Sequence, residues 1–428
     1  MIERDLYRTI LGVEPPWHVV SVDIDKRPWH PESPDPFQHW KGKITVRVDR
    51  DQESPLCCPQ CQKPCPGYDH RTRTWRHLDT CQFHTVVVCE VPRIQCQEHG
   101  VHQVSVPWAE SSSRFPALFE AFAITWLKEA SFAAVARLLH LSWDQVDGIV
   151  GRAVKRGLAR RTKSSMRRIA VDETSFQKRH EYVTVVTNQD WNRVEYIADG
   201  HGKASLDGFW STLEPDDLRK IESVSMDMWR PYMRSTREFV PDAESKICFD
   251  KFHVAKHLGE AVDRVRRSEN ADLWQTGDGR LKGSKFLWLK NPSTMSDKSW
   301  DRFESLRESK LKTSRAWHLK EVAMSLWSYL RRGWGRKAWM KWIGWAMRSR
   351  LEPMRQAAKM IKNHLEGILN AIVMRVNNAG AESINAKIQK IKRQACGFRN
   401  RDRFRNAIYF HCGGLDLCPI LGTTHTKS

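Results

Sequence analysis

The chain has 428 residues, 40% of them hydrophobic and 28% charged, which supplies apolar material for more than one core and excludes a disordered or fibrous class. Lys and Arg number 70 against 50 Asp and Glu, a formal net charge of +20 that favours polyanionic partners, nucleic acid first. No run approaches the ~20 apolar residues of a membrane span, and the start Met-Ile-Glu-Arg-Asp-Leu-Tyr-Arg lacks the apolar core of a signal peptide, so no membrane partner is expected.

Residues 1–45 carry Pro, Trp and short alternating runs, and Lys-Ile-Thr-Val-Arg-Val-Asp from Lys43 alternates like a half-buried strand. A cysteine-rich module extends to Trp108. Apolar residues recur at helical spacing over 116–158. The stretch 152–168, with eight Lys or Arg and no acid, reads as a basic linker. Strands are expected at 168–174, 182–188, 193–198, 221–226 and 246–249, with a helix over 203–213. From Val254 to about Gly367 the pattern is helical throughout and holds nine of the 19 Trp. Their place inside apolar helices favours core packing, with stacking on unpaired bases the other reading. A last helix starts at Ala381, and the final six residues read as disordered.

Most of the 11 Cys fall before residue 100. Clustered Cys in an intracellular basic chain serve metal more often than disulfides. Cys58-Pro-Gln-Cys61 and Cys96-Gln-Glu-His99 form two knuckles around the strand-like run Phe83-His-Thr-Val-Val-Val-Cys-Glu-Val. That is the spacing of a zinc ribbon with a Cys₃His ligand set. Cys57, Cys65, Cys81 and Cys89 lie close enough in sequence to compete for the assignment. Further on, Val135, Leu138 and Leu139 mark one helix, Leu141 fills a turn, and Ser142 with Gln145 forms a capping box that starts another. This is a helix-turn-helix pattern, in which Ser142, Trp143 and Gln145 stand at the start of the recognition helix. Asp144 and Asp147 are unusual there, so a plain helical hairpin stays open. The basic run that follows could hold phosphates in either case.

Three acids stand in distinctive settings. Asp172 ends Arg-Arg-Ile-Ala-Val-Asp, Asp227 ends Ile-Glu-Ser-Val-Ser-Met-Asp, and Glu382 opens a basic stretch. Carboxylates at two strand ends and one helix start can converge on Mg²⁺ or Mn²⁺, hard cations that take oxygen ligands. In a chain this basic, the metal would meet a phosphodiester. Glu173, Asp199 and Asp250 are rivals, though Glu173 alternates to the opposite strand face from Asp172. After Glu382, Lys387, Lys390 and Arg393 recur near helical spacing, as a phosphate-gripping or a merely solvated face.

Three segments carry a resemblance. Ile169-Ala-Val-Asp-Glu, Ser225-Met-Asp-Met-Trp-Arg-Pro-Tyr, and Asn377-Asn-Ala-Gly-Ala-Glu-Ser-Ile-Asn-Ala-Lys-Ile-Gln-Lys-Ile-Lys-Arg continuing to Gly397-Phe-Arg-Asn resemble the catalytic segments of the ISL-three family of bacterial insertion-sequence transposases. The resemblance implies an α/β fold: a ribonuclease-H-like catalytic core interrupted by an all-helical insertion, preceded by a zinc ribbon and a helix-turn-helix domain. The order of three strands, helix, strand, helix, strand is what that core needs. The implied boundaries are an N-terminal segment 1–45, a ribbon 46–108, a helix-turn-helix domain 110–160, core 165–253, insertion 254–367, core 368–412 with the catalytic Glu, and a tail 413–428. The resemblance implies Asp172, Asp227 and Glu382 as ligands of Mg²⁺, and Cys58, Cys61, Cys96 and His99 as ligands of Zn²⁺. His99 departs from the family, many members of which carry Cys there. In the wider group a D-x-x-H follows the second catalytic Asp. Asp250-Lys-Phe-His253 fits it and puts His253 beside the active site, on the scissile phosphate or orienting the loop.

The implied activity is Mg-dependent cleavage and transfer of DNA strands at terminal inverted repeats, by a homodimer on double-stranded DNA, in the bacterial cytoplasm at the nucleoid. A regulator derived from a transposase and a structure-specific nuclease remain alternatives.

Overall fold

The computed structural model describes residues 2–28, 30, 39–162, 165–177, 181–290, 294–376 and 379–420. Asn377 and Asn378 of the third segment, and the final residues expected to be disordered, lie outside them. The chain divides into two compact units, residues 1–162 with 394–396 and 409–428, and residues 163–393 with 397–408. No helix among the described residues is long and apolar enough to cross a membrane.

The first unit holds a sheet of β1 (Trp17–Lys26), β2 (Gly42–Arg50), β3 (Gly67–Arg76), β4 (His84–Cys96) and β5 (Gly100–Gln103), in the order β1-β2-β4-β3 with β5 on the end of β4. Strand β2 alternates as its sequence demands, with Ile44, Val46 and Val48 buried. The second part of this unit is helical: Ala117–Glu129, Phe132–Leu138 and Trp143–Arg160 share a core of Phe119, Leu127, Val135, Val146, Ile149 and Val150. His140 takes a left-handed φ of 50° in the turn, and Leu141 is buried beneath it. The capping box forms as read: Ser142 Oγ accepts from the Gln145 N–H and Gln145 Oε1 accepts from the Ser142 N–H. Of the apolar residues that mark the helix Phe132–Leu138, Val135 is buried and Leu138 is 61% exposed.

The expected basic linker is a correction. Residues 152–160 are the last turns of the helix Trp143–Arg160, and their arginines face the unit's own acids and carbonyls. Arg152 meets the buried Glu120 at 2.6 Å, Arg156 meets Glu110 at 2.5 Å and donates to the Leu417 carbonyl, and Arg160 meets Asp416 at 3.0 Å. The spacing i, i+4, i+8 is one helix face turned inward, so these three charges are spent on the fold.

The second unit is built on β6 (Arg168–Gln177), β7 (Glu181–Asn188), β8 (Arg193–Asp199), β9 (Ser223–Met226) and β10 (Ile247–Phe249), in the order β10-β9-β6-β7-β8. Strands β6, β7 and β8 pair antiparallel, while β9 and β10 add in parallel on the other side of β6. Ile169, Val171, Val183, Val186 and Val224 are fully buried, the continuous apolar run of a sheet covered on both faces. The helix expected over 203–213 runs Lys203–Trp210, and a further helix, Pro215–Lys220, precedes β9.

The described residues between Lys251 and Met374 form helices joined by short turns, with no strand among them, and bury their apolar side chains in the same core as the sheet: Val254, Leu258, Trp288, Phe303, Trp339, Trp342 and Leu369 join Ile169, Val224 and Phe249. Trp288, Trp317, Trp339 and Trp342 are buried, whereas Trp274, Trp334 and Trp345 are exposed. Asn370, in the helix Leu365–Met374, donates to the carbonyls of Glu244 and Ile247 at 2.9 and 2.8 Å, which ties that helix to the start of β10. Gly367 lies so close to Phe249 that a Cβ would stand 2.4 Å from its ring.

Candidate active site and metal centres

Parallel register brings the acids together. Ala170 pairs with Ser225, so Asp172 and Asp227 each lie two positions beyond a matched pair on neighbouring strands. Phe249 pairs with Met226, so Asp250 follows β10 where Asp227 follows β9. Adjacent strands run about 4.8 Å apart. Asp227 and Asp250 follow the carboxyl ends of β9 and β10, the edge where α/β sheets place their ligands, whereas Asp172, expected at a strand end, lies mid-strand: β6 runs past its parallel pairing with β9 and continues on β7 to Gln177.

Helices complete the site. Asp250 caps the helix Lys251–Gln275, accepting from the Phe252 N–H at 3.1 Å, which places His253 within the first turn. His253 Nδ1 lies 3.5 Å from Asp227 Oδ2. The helix Ala379–Gln394 runs along β6. Asn385 donates to Asp172 Oδ2, Gln389 to Thr174 Oγ1 at 3.0 Å, and Lys392 to Ser175 Oγ at 3.0 Å. Ile384, Ile388 and Ile391 anchor the same helix in the core. This puts Glu382, one turn before Asn385, into a pocket of about 310 Å³ lined by Asp172, Asp227, Asp250, His253, Glu382 and Asn385 among others.

Asp172 and Asp227 each turn one oxygen back to their own backbone: Asp172 Oδ1 accepts from the Glu173 N–H at 2.7 Å, and Asp227 Oδ1 from the Met228 N–H at 2.6 Å. Burial raises the Asp172 carboxyl above the usual carboxylate range, against the Glu173 N–H, His253 and Asn385, and the charge of Asp227 raises it further. Like charges gathered at a half-buried site call for a cation. Carboxylate oxygens are the hard donors that Mg²⁺ or Mn²⁺ takes.

Of the rival acids, Glu173 stays outside the pocket lining but is half-buried, with its carboxyl raised by burial and then by Asp172 and Asp227. Asp199 sits elsewhere, facing Arg401 at 3.7 Å and Arg405 at 3.9 Å. Asp250 belongs to the pocket. Asn385 gave no signal of its own in the sequence. A polar stripe Glu382, Asn385, Gln389, Lys392 beside the apolar stripe Ile384, Ile388, Ile391 would have marked the strand-facing side of the helix.

In the first unit, Cys58, Cys61, Cys96 and His99 hold their ligand atoms within 4.8 Å of one another. The turn between Cys58 and Lys63 forms one knuckle, with Gln62 at a left-handed φ of 62°. The β4–β5 hairpin forms the other, closed where Cys96 pairs with Gly100, whose φ of 77° suits glycine. The Cys96 thiol is lowered to about 6, chiefly by its hydrogen bond with His99. Three sulfurs and one imidazole are the donor set of a structural zinc. Cys57, Cys65, Cys81 and Cys89 fall outside this set, and burial pushes the Cys89 thiol up to about 12.

At the helix-turn-helix, Ser142 Oγ and Gln145 Oε1 are taken by the cap, and Trp143 is 38% exposed with its ring 6.5 Å from that of Phe132. Lys387, Lys390 and Arg393 are all exposed.

Comparison with known proteins gives these parts a common owner. A family model described as transposase, of the DDE type and the ISL3 group, matches residues 169–408. The helix-turn-helix domain of transposase family ISL3 matches residues 104–154, and the zinc-finger of transposase IS204/IS1001/IS1096/IS1165 matches residues 54–99. The chain is 30% identical over 422 residues to the transposase for insertion sequence element IS1557 of Mycobacterium tuberculosis, covering 92% of each. It is 28% identical over 410 residues to the transposase for insertion sequence element IS1001 of Bordetella parapertussis, covering 94% of this chain and 97% of that one. Fold, site and likeness together define an enzyme of the DDE transposase class, for which a divalent metal and DNA binding are implied. Within that class the chain belongs to transposase family ISL3.

Proposed function

We propose that this transposase binds the terminal inverted repeats of an insertion sequence and carries out Mg-dependent strand cleavage and strand transfer, with Asp172, Asp227 and Glu382 as the metal ligands. The observation that carries the reading is their convergence in one pocket from the middle of β6, the end of β9 and a distant helix. The strand order β10-β9-β6-β7-β8, with β6 central, supports a ribonuclease-H-like core, and residues 254–367 are read as its helical insertion. Bound there, Mg²⁺ or Mn²⁺ supplies activation of the attacking hydroxyl and stabilisation of the leaving oxygen of a phosphodiester.

The chain's own groups do the rest. Backbone N–H groups fix one oxygen of Asp172 and of Asp227 and leave the other to the pocket. Asn385 orients Asp172, and His253 stands where it can steady Asp227 or donate to a phosphate oxygen. Zinc held by Cys58, Cys61, Cys96 and His99 would stiffen the ribbon. Ser142, Trp143 and Gln145 open the helix that reads the repeat, and Lys387, Lys390 and Arg393 grip phosphates. The working form is a homodimer on transposon-end and target DNA, in the cytoplasm at the nucleoid.

The test is strand cleavage on DNA carrying the element's ends. Asp172→Ala, Asp227→Ala and Glu382→Ala should each abolish Mg-dependent cleavage and leave DNA affinity within a few-fold. Normal cutting by Glu382→Ala removes the third ligand from this scheme, and binding without any cutting by the unmodified chain favours a regulator derived from a transposase.

A further inference from the structure

Immediately after Asp227 the chain enters the helix Arg230–Phe239. Arg230, Arg234 and Arg237 recur at i, i+4 and i+7, the spacing of one helix face. With Met233, Asn363 and His364 they line a second pocket of about 300 Å³ that contains no acid among its lining residues. Met233 is buried, and the His364 ring packs edge-on to Phe249 at 5.2 Å, so the inner wall is rigid.

The charges here are poorly compensated. Arg237 is paired with Glu244 at 2.6 Å. Arg230 and Arg234 make no ion pair or side-chain hydrogen bond among the described residues. Two unpaired guanidiniums on adjacent turns repel each other and gain nothing for the fold. They are matched by a planar or tetrahedral oxyanion, which a guanidinium fork binds in bidentate fashion. The pocket also lies near the carboxylate site: Arg230 opens the helix three residues after Asp227, and the His364 ring packs on Phe249, the residue before Asp250.

We propose that Arg230, Arg234 and His364 form a phosphodiester subsite, which holds a backbone phosphate of the DNA strand next to the one presented to Asp172, Asp227 and Glu382. This rests on the strand-cleavage reading above. A second anchored phosphate fixes the strand's direction across the carboxylates, which one contact at the scissile position cannot do. Free inorganic phosphate is the other source of the same chemistry.

The experiment uses the full chain and a random duplex oligonucleotide without divalent metal. Affinity is titrated against salt for the unmodified chain, Arg230→Gln, Arg234→Gln, the double variant, and Arg219→Gln as a control at an exposed arginine paired with Asp216. Each lost phosphate contact should flatten the log–log slope by about one unit, and the double variant by about two. Both arginines are exposed, and thermal melting checks that the variants remain folded. An unchanged slope with unchanged affinity overturns the proposal. So does inorganic phosphate, at constant ionic strength, that erases the difference between the unmodified chain and the double variant, since the pocket then serves the free anion. If the slopes change but the unmodified chain cuts no DNA with Mg²⁺, the cleavage reading fails and the phosphate contact stands. If it cuts while the slopes match, the subsite alone fails.

Discussion

Asn385 donates its side-chain amide to the Asp172 carboxylate, joining residues 213 positions apart in the chain. The contact sets the angle of the Asp172 carboxylate, proposed above as a metal ligand, from the helix that also carries Glu382, so two of the three acids are held by one helix. Hydrogen-bond partners of ligands are worth about 10–100-fold in metal affinity. Asn385→Ala should therefore raise the Mg²⁺ concentration needed for half-maximal cleavage by about that factor, with DNA affinity unchanged. An unshifted Mg²⁺ profile would mean that Asp172 needs no such support.

The ribbon predicts a metal count. Protein purified without chelator should carry one zinc per chain, and Cys61→Ser should lose it together with the order of β4, β5 and the two knuckles, because a structural site contributes folding free energy directly. Metal analysis and proteolysis of the 54–99 region read both effects. Full zinc occupancy in Cys61→Ser would point to Cys65 as a ligand in its place.

Glu120 is 1% exposed and faces Arg152 at 2.6 Å and Arg156 at 3.5 Å, with Ser113 donating to it at 2.8 Å. Removing one partner of a buried pair strands the other, at roughly 3–5 kcal/mol. Glu120→Ala should destabilise the helical part of the first unit by about that much in denaturant unfolding. A loss below about 1 kcal/mol would place these arginines among ordinary surface pairs.

Burial lowers His77, His84 and His140 below the ordinary histidine value. Their rings take up protons less readily in the fold than in the unfolded chain, which binds protons as pH falls through about 6.5. Stability from these groups is therefore complete above that pH and lost as pH falls below it. The melting temperature should drop between about pH 7 and pH 5, and His77→Gln should flatten part of the drop. A profile identical in that variant would assign the acid sensitivity elsewhere.

These features differ in how plainly they were written. The zinc knuckles were legible because ligand spacing is local, and the capping box because Ser142 and Gln145 act within one turn. Asp227 could be read as a strand end, but Asp172 stands mid-strand because β6 continues on β7 to Gln177, and that Asp250 joins them depends on parallel register between β9 and β10, which no local pattern encodes. The arginines at 152, 156 and 160 have the charge density of a linker, but they lie on the helix Trp143–Arg160. Their helical spacing pointed to an inward face, and the partner Glu120 lies on a separate helix. Asn385 and Arg234 were silent for the same reason: a polar residue on a helix gains its meaning from what the helix faces.

The claim at the centre of this account is that acids from three distant segments make one metal site. Mn²⁺ binding to the full chain, followed by electron paramagnetic resonance of the free ion, tests it most directly. The unmodified chain should bind Mn²⁺, Mg²⁺ should compete, and Asp172→Ala, Asp227→Ala and Glu382→Ala should each weaken binding by about tenfold or more while the zinc content stays constant. Equal Mn²⁺ binding by the unmodified chain and all three variants would contradict it.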